Sequence, residues 1–367
     1  MKAVIIGGGI AGLTLAAWLA QQEEWDIHIY ERNEPMKAKG HAFLIHPAAA
    51  ALIDRLPGVI NPLNRGEKIN AYHLYDNQYQ VHFQEPLEEW LCMRRSDLLL
   101  YLESLLADVN IVYNKRFQQF EEADGRFTHA VFDDGERIEA DVFFGCDGVH
   151  SPVRQAILGD VAFSPVKVKE IVSVVRSEEL AQKYRGQFSK FIHPEKALAL
   201  GFIPCNNNEL VWFMQFDTTL QINDLDCSEA IRNHCLDLVA EFPQDVQTLM
   251  AQNNFDYSYV WHSTDFNLLP AFHKQNVVLL GDAAHVALPF TSAGVANALT
   301  DSAIVASLLL KNNNDYHAAF TQFYEARAEE LQGHINQGRE LQHAFLNIEQ
   351  AKKMIPLIQV LESPDTV

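Results

Sequence analysis

The strongest constraint on the fold of this chain is a glycine cluster seven residues from its start. Gly7-Gly8-Gly9-Ile10-Ala11-Gly12 directly follows the β-branched run Ala3-Val4-Ile5-Ile6 and opens a segment, residues 10–22, with Ala and Leu at helical spacing. A second strand is expected at residues 26–30, which completes a strand–turn–helix–strand unit. In such a GxGxxG turn the first glycine permits a sharp bend and the second admits a pyrophosphate close to the backbone. The third lets helix and strand pack closely, and the helix N-terminus offers free N–H groups to the phosphates. Glu31 falls about 20 residues after the turn, where a carboxylate can accept ribose hydroxyls. A dinucleotide site is therefore expected, and the turn alone does not choose between FAD and NAD.

The remaining composition narrows the class. The 367 residues suffice for a large core and two interleaved parts. A formal net charge of −20 argues against a nucleic-acid partner, which needs clustered Lys and Arg. Cys92, Cys146, Cys205, Cys227 and Cys235 form no CxxC pair, so neither a structural metal nor a disulfide framework is expected, and reduced thiols point to the cytoplasm. The apolar N-terminus superficially resembles a signal peptide, but its glycines and following strand have their own explanation. No long apolar run suggests a membrane span.

Further along, residues 95–106 have the Leu spacing of a helix with Ser96 as the candidate cap. Short strands are expected at 111–114, 116–121, 128–132 and 141–144, with a hairpin turn at Asp133-Asp134-Gly135. The middle region changes to strands at 171–176, 188–193, 198–203 and 210–217, a mostly antiparallel sheet with a helix at 229–241 packed on it. A buried strand at 276–280, a helix at 294–310 and a helical region at 316–350 close the chain.

Two later segments separate FAD from NAD. Gly145-Cys146-Asp147-Gly148-Val149-His150-Ser151-Pro152-Val153-Arg154 and Gly281-Asp282-Ala283-Ala284-His285 resemble the GxDGxxSxxR and GDAAH signatures of the para-hydroxybenzoate hydroxylase family of flavin monooxygenases. They stand in family order with the glycine turn, and the resemblance spans most of the chain. It implies an α/β fold, with a Rossmann-like FAD domain from residues 1–70, 90–165 and 265–310. Residues 71–89 and 166–264 would build a mixed or antiparallel substrate sheet, and 311–367 a C-terminal helical region.

The same resemblance implies the chemistry and the site. NAD(P)H would reduce the flavin, and a C4a-(hydro)peroxide formed with dioxygen would hydroxylate an aromatic or related small molecule. No second GxGxxG is present, so NAD(P)H should bind transiently to a monomer or homodimer. Rival readings are a flavin dehydrogenase or reductase of the same fold, a flavin-binding sequesterer or sensor with little turnover, and a plain NAD-dependent dehydrogenase. The implied cofactor-binding residues are Gly7, Gly9, Ile10, Ala11, Gly12, Glu31, Arg32, Arg95, Asp147, Gly281, Asp282, Pro289, Gly294 and Val295. Asp147 and Arg154 are explained equally well as a local ion pair that orders a loop. After GDAAH the family usually has Pro followed by a GQGxN-like turn. Here Pro289 and Gly294 match, while Ser292, Ala293 and Ala296 depart.

Gly40-His41-Ala42-Phe43-Leu44-Ile45-His46-Pro47 corresponds to a strand bordering the flavin in the family, and His46 and Pro289 are the catalytic candidates. His46 is either a proton-transfer group or a hydrogen-bonded structural histidine. Phe202, Trp212, Met214 and Phe290 are substrate-pocket candidates, with ordinary core packing as the alternative for the sheet residues.

Overall fold

A computed structural model describes residues 1–35, 42–58, 62–313 and 315–347. Gly40 and His41 of the expected flavin-bordering strand lie outside these residues. Two large sheets organise the chain. The first has six strands in the order His273–Lys274, Val277–Leu279, Val142–Gly145, Lys2–Ile6, Asp26–Tyr30 and Asn110–Val112. All its pairs are parallel except that between His273–Lys274 and Val277–Leu279. Apart from Lys2 its central strands are apolar because helices or a second layer cover both faces. From Lys2–Ile6 the chain adds strands on one side, and Val142–Gly145 then begins the other. The order therefore reverses between these two strands, and their carboxyl ends border the crevice where α/β sheets hold ligands.

The second sheet has eight strands in the order Tyr259–His262, Val168–Arg176, Glu209–Asp217, Leu198–Asn206, Gln187–Ile192, Glu67–Asp76, Val81–Arg94 and Ala42–Ile45. It is mixed, since Gln187–Ile192 pairs parallel to Glu67–Asp76 and the other ladders are antiparallel. Both faces are covered. One packs beneath the helices Glu178–Lys183, Ser228–Leu238 and Gln244–Gln252. The other meets Leu288, Phe290 and Phe345 from the cofactor side of the molecule.

Several expectations need correction. Ser96 lies inside the Arg95–Ser104 helix, and Arg94 occupies the cap without a side-chain bond. The hairpin turn after Phe132 leads into a short strand, Arg137–Glu139, that the sequence reading missed. With Phe117–Ala123 and Arg126–Phe132 it forms a separate three-stranded sheet. The helix expected at 229–241 is Ser228–Leu238, and a further helix, Gln244–Gln252 with Pro243 at its cap, follows it unanticipated.

The Gly294–Lys311 helix is long and apolar enough to cross a membrane. It is instead mostly buried, packed between Ile10–Leu19 and Tyr316–Leu346.

Candidate cofactor site

The glycine turn sits at the carboxyl ends of the two strands where the sheet order reverses. Gly7 has φ +112°, and a Cβ there would lie 2.2 Å from the Cys146 carbonyl oxygen, so side chains are excluded by both conformation and space. Gly12 holds helix against strand, since its Cβ would come within 2.0 Å of the Gly7 oxygen. At Gly9 nothing lies within 4 Å of an added Cβ, which leaves open approach to the backbone. Gly9 caps the Ile10–Leu19 helix without a side-chain bond, so the first-turn N–H groups keep their capacity for an anion.

Glu31 leaves the second strand and reaches back. Its Oε2 accepts the Gly8 N–H at 2.7 Å, and its Oε1 accepts both the Asn33 N–H at 2.9 Å and Nδ2 at 2.7 Å. The carboxylate thus braces the turn while lying at the edge of the crevice. Arg95 opens its helix with a largely buried guanidinium. Burial lowers its pKa, and the Glu31 charge partly opposes that effect. Arg32 is exposed.

The second segment enters from the neighbouring strand. Asp147 accepts the Ser151 hydroxyl and the Val153 N–H at 3.0 Å, while Ser151 Oγ caps the Pro152–Leu158 helix through Arg154 N. Burial raises the Asp147 pKa, and these bonds pull against it. The local Asp147–Arg154 hydrogen-bonded pair does not form. Arg154 donates instead to the carbonyls of Val149 at 2.7 Å and Ala283 at 3.0 Å, and lies over the Phe266 ring at 4.6 Å. It joins the second and third motifs through backbone oxygens.

The third motif follows Val277–Leu279. Gly281 has φ +58° and packs against Ala11 and Ala298, so this turn touches both helices that flank the crevice. Asp282 is half-buried, and its carboxylate has no hydrogen-bond partner among the described residues. Burial raises its pKa, with the Asp301 charge acting the same way and His285 opposing. Pro289 is exposed and opens the short turn Pro289–Thr291, which ends with Ser292 in the left-handed region at φ +54°. Ser292 therefore adopts a conformation that favours glycine at a position where the family commonly has it. Ala293 caps Gly294–Lys311 without a side-chain bond, Gly294 is exposed, and Val295 is partly buried. A second helix N-terminus is thus free to face a ligand.

The crevice therefore fits FAD in its donors and acceptors. An uncapped helix start with open glycine backbone suits the pyrophosphate, an unpartnered carboxylate suits hydroxyls, and another uncapped helix start suits an electron-rich ring edge.

A buried network that the sequence reading did not identify holds this turn in place. Asp301 is fully buried. It accepts from Gly281 N at 3.0 Å and Arg327 Nε at 2.9 Å, and it bonds His285 Nε2 at 2.6 Å. Arg327 also donates to Asn297 Oδ1 at 3.0 Å and to Glu330. His285 is accordingly a structural member of the third motif. Burial alone would raise the Asp301 pKa, but His285 and Arg327 overcome it and hold the carboxyl at about 2.

This value lies below that of an unfolded aspartate, about 3.9. Its stabilisation is therefore complete above about pH 4 and is lost as pH falls towards 2. Urea denaturation between pH 5 and 2 should show a loss of about 2–3 kcal/mol from this group, and Asp301→Asn should flatten that part of the profile. An unchanged slope in the variant would remove Asp301 as its source.

His46 ends the Ala42–Ile45 strand and caps Pro47–Asp54, its Nδ1 accepting the Ala48 N–H at 3.1 Å. Its ring meets Trp90 edge-on at 4.8 Å, and burial lowers its pKa. One ring nitrogen is thus committed to a structural task, and Nε2 alone remains for proton transfer.

Three substrate-pocket candidates require correction. Phe202, Trp212 and Met214 are fully buried beneath the helices, on the sheet face opposite Phe290. Trp212 Nε1 donates to Asn253 Oδ1 at 3.0 Å within that core. Strand alternation decides this, because neighbours one residue away face the cofactor side. Those neighbours include Gly201, Phe213 and Gln215, and the cross-strand partners Lys190 and Glu170 share their face.

Comparison with known proteins agrees with this class of site. The FAD binding domain family matches residues 1–331, and the chain belongs to that family. FAD is its cofactor. The chain is similar to a FAD-dependent monooxygenase of Aspergillus terreus, with 24% identity over 93% of this chain and 86% of the relative. It is also similar to 6-methylsalicylate 1-monooxygenase of the same fungus, with 25% identity over 84% of this chain and 74% of that protein. Among solved structures, Klebsiella pneumoniae HpxO complexed with FAD and uric acid superposes with a TM-score of 0.84 at 20% identity. That match covers 96% of this chain and 90% of HpxO.

Proposed function

We propose that this chain is a flavin-dependent monooxygenase that hydroxylates an acidic aromatic or related small molecule at the expense of NADH or NADPH. Bound FAD would supply the redox chemistry, accepting hydride from the nicotinamide and passing one atom of dioxygen to the substrate. The protein's own residues bind, orient and shield. Gly9, Ile10, Ala11 and Gly12 would present N–H groups and open backbone to the pyrophosphate. Glu31, with Arg32 and Arg95 nearby, would meet the adenosine ribose and phosphates. Asp147 would border the crevice beside Gly7, Gly281 would set the turn before Asp282, and Asp282 would accept hydroxyls of the ribityl chain. Gly294 and Val295, after Pro289, would offer the second helix start to the flavin ring, where its dipole favours negative charge.

The observation that carries this reading is the carboxylate of Asp282, which has no hydrogen-bond partner among the described residues and follows a glycine packed against the two helices with uncapped starts, in a chain matched over most of its length by the FAD binding domain family. The relatives support the aromatic part of the reading, since the names above specify 6-methylsalicylate and uric acid, both small acidic rings. The five cysteines, all unpaired, support a cytoplasmic setting.

The test uses purified protein, expected to be yellow with absorbance near about 450 nm. A hydroxyaromatic acid should accelerate NADH or NADPH oxidation, consume oxygen and yield a product one oxygen heavier. Asp282→Ala should weaken FAD retention by about tenfold or more, roughly 1.4 kcal/mol. Flavin reduction with a saturated product and no oxygen incorporated would replace this reading with a reductase.

A further inference from the structure

The face of the eight-stranded sheet that meets the Pro289–Thr291 turn carries three buried polar side chains. Glu170 lies opposite Gln215, Gln215 opposite Ala199, and Lys190 opposite Gly201, so all three share that face. Lys190 is 3% exposed, Gln215 2% and Glu170 9%. Lys190 Nζ donates to Gln215 Oε1 at 2.8 Å, and Gln215 Nε2 donates to Glu170 Oε2 at 2.7 Å. Only one orientation of the Gln215 amide serves both neighbours, because ammonium has only donors and a carboxylate only acceptors. The amide thus separates the two charged groups and turns its oxygen towards the lysine.

An ammonium has three N–H donors, and among the described residues this one uses a single donor. Three rings stand close to it. Phe213, Phe290 and Phe345 have centroids 5.7, 5.9 and 5.9 Å from Nζ. Rings attract a cation but leave its N–H groups without oxygen acceptors. Gly201 makes the arrangement possible, since a Cβ there would lie 2.3 Å from the far end of the Phe213 ring. Burial pushes Glu170 up to about 7 and Lys190 down to about 8, so Glu170 is a weak counter-ion near neutral pH.

We propose that Lys190 is the specificity-determining residue of the substrate site, donating its remaining N–H groups to an oxyanion carried by an aromatic ring that packs among Phe213, Phe290 and Phe345. The assignment rests on the monooxygenase reading and deepens it. Phe290 stands next to Pro289, so this cation lies where the substrate sheet meets the turn leading to the second uncapped helix start. Glu170 acts through Gln215 as a positioning residue and fixes the amide that holds the ammonium.

The experiment titrates FAD-loaded protein with matched acids and amides, followed by perturbation of flavin absorbance. The pairs are salicylate with salicylamide, 4-hydroxybenzoate with 4-hydroxybenzamide, and 2-aminobenzoate with 2-aminobenzamide. At least one acid should bind about tenfold or more tighter than its amide. In Lys190→Met that preference should shrink to within about twofold, with FAD content unchanged. Lys190→Arg should preserve the preference. The Lys190→Met/Glu170→Gln double variant, which leaves no lone buried carboxyl, should repeat the Lys190→Met result even if the single variant folds poorly. Equal binding of acid and amide by the parent protein, a preference that survives Lys190→Met, or no binding by any acid would overturn the assignment. Protein that retains no FAD fails the functional reading itself, which is visible before any probe is added.

Discussion

Replacing Arg327 by methionine is expected to cost roughly 3–5 kcal/mol of stability, because it strips a buried carboxylate of its charged partner. Arg327 and Asp301 are almost wholly inaccessible, and their contact joins the Tyr316–Leu346 and Gly294–Lys311 helices. Methionine fills similar space but leaves Asp301 with only His285 and the Gly281 N–H. Thermal melts should drop by about 5 °C for such a loss in a chain of this size. Pairing the change with Asp301→Asn should restore part of the loss, since the cost comes from an unmatched charge rather than a missing attraction. A single variant that melts within a degree or two of the parent would show that this pair carries little.

Gly7→Ala and Gly9→Ala should behave oppositely although they lie two residues apart. At position 7 a methyl group collides with the Cys146 carbonyl and must adopt φ +112°, which L residues rarely tolerate. Separation of the two central strands should follow, with loss of both the yellow colour and the cooperative thermal transition. At position 9 the added methyl meets no protein atom, so the fold should persist with a melting temperature close to the parent apoprotein's. FAD affinity alone should then fall, by about tenfold or more, because the methyl occupies the path of the phosphates. Unimpaired FAD binding by Gly9→Ala would place the pyrophosphate elsewhere.

The three motifs that the structure gathers at the crevice were legible because each is local. The glycine turn, the Asp147 segment and the Gly281-Asp282 turn each lie within about ten consecutive residues, and each follows an apolar strand whose end fixes its place. The substrate half was not legible. In Leu198–Asn206 every residue but the last is buried, so the strand lacks the polar alternation that reveals which side faces a site. Phe202, Trp212 and Met214 stood out as large apolar residues, yet size marks a core as readily as a pocket. Glu170, Lys190 and Gln215 share one parity of the pairing register, but other polar residues in the same strands, Lys169, Ser173 and Ser189, mask it. That parity emerges only when strands far apart in sequence are aligned. The partnership of Asp301 with Arg327 was similarly hidden, since it depends on how two helices separated by a loop pack together.

The course of the backbone has a practical consequence for redesign. Between Ala42–Ile45 and Tyr259–His262 the chain leaves the eight-stranded sheet for the six-stranded one and returns, and segments widely separated in sequence become adjacent strands. Excising either half as a continuous fragment would leave raw strand edges on both pieces. Transplanting selectivity from a relative is therefore better done by exchanging individual side chains on the ligand-facing surface than by recombining whole modules.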